Sequence, residues 1–204
     1  GTWLAHGLRL DNARGVRVQD LRFESPAGIG LSIRASEDVR MEGVDVLRAG
    51  SGIHVQISSN VTLRNVAVAF AKTNGVISEA SYATRLEFGT IWSNAAAQVV
   101  ARNMPVSGGV TNYNASFLSV SNTILGAFGQ RIPVYELRGT LWADHNDLFL
   151  RNGALAALDQ TGLFAREYDS AGSWAGSAYG QDQQSLSHDP LFANAAGGDF
   201  HLKS

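Results

Sequence analysis

The chain has 204 residues, 45% hydrophobic and 17% charged, the composition of one globular domain with apolar side chains enough for a core, and this excludes intrinsic disorder. Its 16 Lys+Arg stand against 18 Asp+Glu for a formal charge of −2, so no basic surface argues for nucleic acid or an anionic membrane, and no apolar run reaches the roughly 18 residues of a membrane span. The absence of cysteine excludes disulfides and thiolate chemistry without fixing the compartment.

From the N-terminus, one template recurs at Gly7, Gly30 and Gly52: Gly, then apolar residues at +1, +3, +9, +11, +14 and +16, with a polar or small residue at +13. The first coil reads Gly7, Leu8, Leu10, Val16, Val18, Asp20, Leu21, Phe23, and the second Gly30, Leu31, Ile33, Val39, Met41, Gly43, Val44, Val46. The third reads Gly52, Ile53, Val55, Val61, Leu63, Asn65, Val66, Val68. With fewer than half of all residues apolar, chance would fill every sampled apolar position roughly once in a million. Each coil holds three short segments of alternating side chains, the pattern of strands with one buried face. Such segments cannot bury that face alone and must stack coil on coil. Val, Ile, Leu, Met and Phe interchange in all three segments, which departs from a leucine-rich repeat. The expected fold is all-β, a three-faced parallel β-helix of about five to seven coils. The +13 column (Asp20, Gly43, Asn65, Thr90, Asn122, Asn146) is expected at a corner, where short side chains bond coil to coil; turn preference alone would also produce it.

Gly75, Val76, Leu86, Phe88, Thr90 and Ile91 make a fourth coil. Val99 to Ala101 opens a fifth, whose second strand, Leu118 to Val120, follows a surface loop over about residues 102–117. Leu141, Ala143, Asn146 and Leu148 belong to a sixth, while residues 126–140, with Pro133, read as another loop. From about residue 151 the periodicity fades into a packed, loop-rich closing segment. The expectation is one domain over 1–204, with coils over about 6–150, because some fifty residues lacking a core do not stand alone.

The run Gly52 to Asn65, Gly-Ile-x-Val-x-x-Ser-x-Asn-Val-x-Leu-x-Asn, resembles the right-handed parallel β-helix repeat of the pectate-lyase-like superfamily, a likeness covering roughly residues 6–150. Independently, Trp174, Gly180-Gln181-Asp182, Ser185, Asp189-Pro190-Leu191-Phe192 and Gly198-Asp199-Phe200-His201-Leu202 resemble the closing segment of many secreted bacterial β-helix proteins. Those relatives carry an N-terminal amphipathic cap and a following Gly-Ser-Pro-Ala stretch, so the resemblance implies a piece of a longer chain. It also implies a secreted or cell-surface protein that handles polysaccharide, since pectate lyases, polygalacturonases, alginate lyases, chondroitinases and epimerases share the scaffold. The polygalacturonase motifs and the Asp-Pro-His-Asp of alginate epimerases are missing, which disfavours those two activities. Fold does not settle function.

Outward positions of the first strand form columns about 4.8 Å apart per coil. At +2 these are Arg9, Ser32, His54, Ile77 and Val100; at +4 they are Asp11, Arg34, Gln56, Glu79 and Arg102; the preceding turns add Arg48 and Lys72. In related enzymes this face forms the saccharide cleft. A uronide lyase needs a base for the C5 proton and a cation to neutralise the adjoining carboxylate. Lys72, His54 and Arg102 are the candidate catalytic residues, with Arg34, Arg48, Gln56 and Glu79 as substrate-binding residues and calcium as an alternative neutraliser. No metal ligands are assigned, because Asp144-His145-Asn146-Asp147 reads as a strand-to-turn corner. A glycosidase pair is poorly supported: Glu79 lacks a carboxylate partner, while Glu42 and Asp45 face other sides. His188-Asp189-Pro190 reads as structural. The expected partner is an acidic polysaccharide, with no nucleic acid and no membrane insertion. The alternative is a non-catalytic spacer, adhesin or carbohydrate-binding module presenting a charge ladder.

Overall fold

A computed structural model describes residues 6–103, 116–177 and 179–203; most of the loop expected over 102–117 lies outside them. The chain winds into a right-handed, three-faced parallel β-helix. The first face stacks His6–Asp11, Ile29–Arg34, Ser51–Gln56, Val76–Glu79, Val99–Arg102, Pro133–Arg138 and Leu155–Asp159, in that order and all parallel. The second face holds Ser59–Arg64, Tyr82–Glu87, Phe117–Ser121 and Thr140–Asp144, and the third Ala67–Ala69, Thr90–Trp92, Ile124–Phe128 and Asp147–Arg151. Two longer strands, Arg17–Glu24 and Glu37–Leu47, bend across the corner and serve both of those faces.

The template positions align rung on rung: Leu8, Leu31, Ile53, Val76, Val99, Tyr135 and Ala157 are successive partners. Leu31, Ile33, Val39, Met41, Ile53, Val55, Val61, Leu63, Val66 and Val68 are all buried in one core. The glycine that opens each template has a packing reason. A Cβ on Gly75 would stand 2.5 Å from the Gln98 carbonyl oxygen and 2.6 Å from Ile91 Cγ2, and Gly7, Gly30 and Gly52 meet Phe23, Val46 and Val68 in the same way. The first strand of each coil therefore starts hard against the third-face residue of its own coil.

Left-handed residues mark many of the corners, among them Asn12, Ala35, Ile57 and Ala80 at the first, and the amides that follow are caught by side chains. At the first corner a serine ladder runs along the axis: Ala13 N donates to Ser36 Oγ, Ser36 N to Ser58 Oγ and Ser58 N to Ser81 Oγ, each at 3.1 Å. At the second corner the left-handed residues are Asp20, Gly43, Asn65, Phe88, Asn122 and His145. This corrects the sequence column at two rungs, Phe88 replacing Thr90 and His145 replacing Asn146. Asn146 instead lies inside, where its Oδ1 accepts from Thr123 N at 3.0 Å and its Nδ2 donates to Val120 O at 3.1 Å. A second correction concerns residues 126–140. Only the turn 129–132 interrupts strand there, between Ile124–Phe128 and Pro133–Arg138, because Pro133 is the first residue of its strand and needs only its carbonyl, which accepts from Gln98 N.

The stack runs past residue 150 through Leu155–Asp159. Beyond it, the helix Ala171–Ala175 seats Trp174 in the core, and Gly180 to Leu186 lies along the last coil, with Asp182 N donating to Ala143 O and Leu148 N to Leu186 O. Buried Asp182 ties this closure together, accepting from Trp174 Nε1 and Asn146 Nδ2 at 2.9 Å each and from Ser185 Oγ at 2.6 Å. The antiparallel hairpin Phe192–Asn194 and Asp199–Leu202 returns to cover the third face. There Phe192 and Phe200 pack on Trp92, which stacks on Phe149 at 5.5 Å.

Candidate functional site

The first-face register sets the outward columns. One runs Asp11, Arg34, Gln56, Glu79, Arg102 and Arg138, the other Arg9, Ser32, His54, Ile77, Val100 and Glu136. Glu136 and Arg138 are absent from the sequence columns because residues 126–140, with Pro133, read as loop in the sequence. The second column does not stay in solvent as expected: Ile77 and Val100 are buried with Ala97 in a small apolar cluster outside the main core. His54 precedes Ile77 in that column, so the polar cluster around it borders apolar surface.

Glu79 is the hub. Its Oε2 lies 3.0 Å from His54 Nε2 and accepts from Gln56 Nε2 at 3.0 Å. Its Oε1 lies 3.0 Å from Arg102 Nε, an ion pair off the hydrogen-bond direction. The side chains of His54 and Glu79 are only 17% and 14% exposed, while Arg102 is 37% exposed. Gln56, Glu79 and Arg102 are adjacent rungs of one column, and His54 is a diagonal neighbour, within the roughly 7–8 Å that long side chains bridge. The burial of the imidazole holds its pKa below the ordinary histidine value; the Glu79 hydrogen bond pulls it back up, and the nearby Arg102 charge pushes it further down. A neutral His54 donating Nε2–H to Glu79 carries its free lone pair on Nδ1, which has no protein partner among the described residues. Carboxylate-held imidazole is the arrangement of a general base.

Of the other sequence candidates, Arg34 is exposed one rung from Gln56 in the same column. Arg48 stands at the corner leading out of the third face, paired with Glu24 Oε1 at 2.9 Å and lying 5.5 Å from the Phe70 ring centre. Lys72 is exposed in the turn before Val76, at the opening end of the strand, whereas Glu79 closes it; four strand residues from Gly75 to Glu79 already span about 13 Å. The structure thus brings together His54, Gln56, Glu79 and Arg102, keeps Arg34 beside them, and places Arg48 and Lys72 elsewhere. A groove of about 340 Å³ lies at the first-coil end of this face, lined by Arg9, Asp11 and Arg34 among others.

A calcium ion wants six to eight oxygen ligands, and Glu79, already answered by an imidazole, an amide and a guanidinium, does not offer them. Among the described residues there is no group of three or more His, Asp and Glu side chains placed to hold a metal. The Asp144 to Asp147 segment forms a corner in which Asp144 Oδ1 accepts from the His145 and Gln184 amides, and Asp147 Oδ1 from the His188 amide.

No curated protein and no solved structure matches the chain. A family model described as a right-handed β-helix region matches residues 6–159, from the first strand of the first face to the end of its seventh. With three-quarters of the sequence inside that match and the same winding in its structure, the chain belongs to the right-handed β-helix family.

Proposed function

We propose that the protein binds an acidic polysaccharide along its first face, with the sugar chain crossing successive coils, and that it does so outside a bacterial cell, as its resemblance to secreted β-helix proteins implies. The observation that carries this reading is the Glu79-centred cluster: a half-buried imidazole beside an arginine column on a scaffold whose rungs repeat about every 4.8 Å. Arg34, Arg102 and Arg138 offer bidentate donors to uronate carboxylates. His54 Nδ1 is the base suited to take a C5 proton; the electrons then form the C4–C5 double bond and expel the C4 oxygen, which leaves with a proton from water. Arg102 neutralises the carboxylate on the same carbon. In this reading the base is His54 and not Lys72, which lies away from Glu79.

A non-catalytic binding or spacer role is the second reading. It is favoured by the saturation of Glu79 and by the closed apolar surface of Ile77 and Val100. Incubation with pectate, alginate and glycosaminoglycans, followed by unsaturated-product absorbance and affinity electrophoresis, separates the two. The proposal expects retardation on at least one polymer, weakened in Arg102→Ala and kept in Lys72→Ala, with product abolished in His54→Gln. Retardation without product leaves a binding module; no retardation on any of these polymers refutes the proposal.

A further inference from the structure

The C-terminal hairpin covers only part of the third face, and what it leaves open is a built groove. Two outward columns run along that face. The column through Leu47, Ala69, Trp92, Gly126 and Phe149 is covered by Phe192 and Phe200. The other runs through Arg22, Asp45, Ala67 and Thr90, one residue per coil. It floors a groove of about 610 Å³ walled by Asn65 and Phe88 on the corner side and by Gly197 to His201 on the hairpin side. Ala67 makes the notch, since it is the smallest side chain of the column and stands between Asp45 and Thr90.

The groove combines an exposed aromatic ring with polar side chains. Phe88 holds a left-handed backbone (φ 54°) at a corner where the neighbouring rungs carry Asn65 and Asn122, residues that tolerate that conformation better. The residue is 48% exposed, and the Arg64 guanidinium lies 4.4 Å from its ring centre. That exposed aromatic surface forms part of the groove wall. Within the groove Arg22 lies 3.5 Å from Asp45, and His201 Nδ1 lies 2.6 Å from Asp199 Oδ1. Asn65 and Thr90 add uncharged hydrogen-bonding side chains to the lining, beside the rings of Phe88 and Phe200. Burial pushes the Asp45 carboxyl above its ordinary range, against the pull of Arg22.

We propose that this groove is a glycan site separate from the first face, and that it takes a neutral oligosaccharide of two or three sugars, with one pyranose face on Phe88 and hydroxyls bonded by Asp45, Asn65 and Thr90. Its volume falls in the range of small-molecule sites, and three rungs from Arg22 to Thr90 span about 14 Å. The proposal does not depend on the acidic-polysaccharide reading, because no residue of the His54 cluster lines this groove.

The test is saturation-transfer NMR and calorimetry of the intact chain with maltotriose, cellotriose, mannotriose and xylotriose, with digalacturonate and calcium chloride as charged probes. Phe88→Ala removes the platform, and Ala67→Gln fills the notch from the solvent side without touching the core. Each is checked for an unchanged circular dichroism spectrum. The expected result is binding of at least one neutral trisaccharide, weakened about tenfold or more in both variants and unchanged in His54→Gln. Failure of every neutral probe, binding that survives both substitutions, or occupation by digalacturonate or calcium instead would overturn the proposal. Loss of first-face binding in His54 variants leaves it untouched.

Discussion

Replacing Gly75 by alanine tests the reason for the repeat's most regular residue. In most settings a Gly→Ala change at a compatible backbone stabilises by about 0.4–1 kcal/mol, through the entropy of the unfolded chain. Here the added methyl would lie 2.5 Å from Gln98 O, 2.6 Å from Ile91 Cγ2 and 2.7 Å from Asn94 Nδ2. Each contact is about an ångström inside normal van der Waals separation. None of the three atoms swings away cheaply: one is a ladder carbonyl, one a core methyl, and Asn94 Nδ2 is bonded to Val68 O and Gln98 Oε1. Overpacking of this kind costs about 1–3 kcal/mol, and the rigid surroundings favour the upper end. At about 2–4 °C per kcal/mol for a domain of this size, Gly75→Ala should melt about 6–12 °C below wild type in a far-ultraviolet circular dichroism scan. Gly172 is the control of opposite sign. A Cβ there meets nothing within 4 Å, so Gly172→Ala should melt about 1–4 °C higher. A Gly75→Ala protein as stable as wild type would refute the packing account of the repeat.

Two further outcomes follow from the closure and from the site. Asp182→Ala removes the acceptor of Trp174 Nε1 and Ser185 Oγ and one of the acceptors of Asn146 Nδ2 at the buried end of the stack, at about 1–3 kcal/mol per donor left unpaired, so the urea midpoint should fall and tryptophan emission should shift to the red, while Asp182→Asn should lose less. An unchanged midpoint and spectrum in Asp182→Ala would mean that the closing segment is not part of the cooperative fold. Because burial lowers the His54 pKa in the folded state, the unfolded chain binds more protons at this position. Stability from His54 is therefore full above its unfolded value of about 6.5 and declines as pH falls through that value toward the folded one. His54→Gln should flatten this part of the pH profile of the urea midpoint, and a slope identical to wild type would contradict the assignment.

The winding was legible because burial decides the fate of every second residue in a strand: Val61 and Leu63 alternate with Thr62 and Arg64, and a shift of one residue would turn the whole pattern outward. Corners were less legible. A single left-handed residue is tolerated at modest cost by many residue types, so Ala35, Ile57, Phe88 and His145 carry no sequence mark of the turns they make. The seal of the third face depends on Phe192 and Phe200 reaching back to Trp92, a contact between residues a hundred positions apart that periodicity does not encode. For the site, the columns could be written from the repeat, but pairing within them could not. Arg102 and Glu79 read equally well as rungs of an exposed ladder. Their gathering around His54 follows from side-chain reach and from the apolar shelter of Ile77 and Val100, two outward positions that the two-residue alternation assigned to water.

The most direct test of the first-face account is an NMR pH titration of His54, identified by the signal lost in His54→Gln, with and without a saturating oligogalacturonate. The account predicts a free-protein pKa below the ordinary 6.5 or so, and an upward shift on binding as uronate carboxylates stabilise the imidazolium beside them. A His54 that titrates at or above the ordinary value, or one whose titration ignores the bound oligosaccharide, would contradict it.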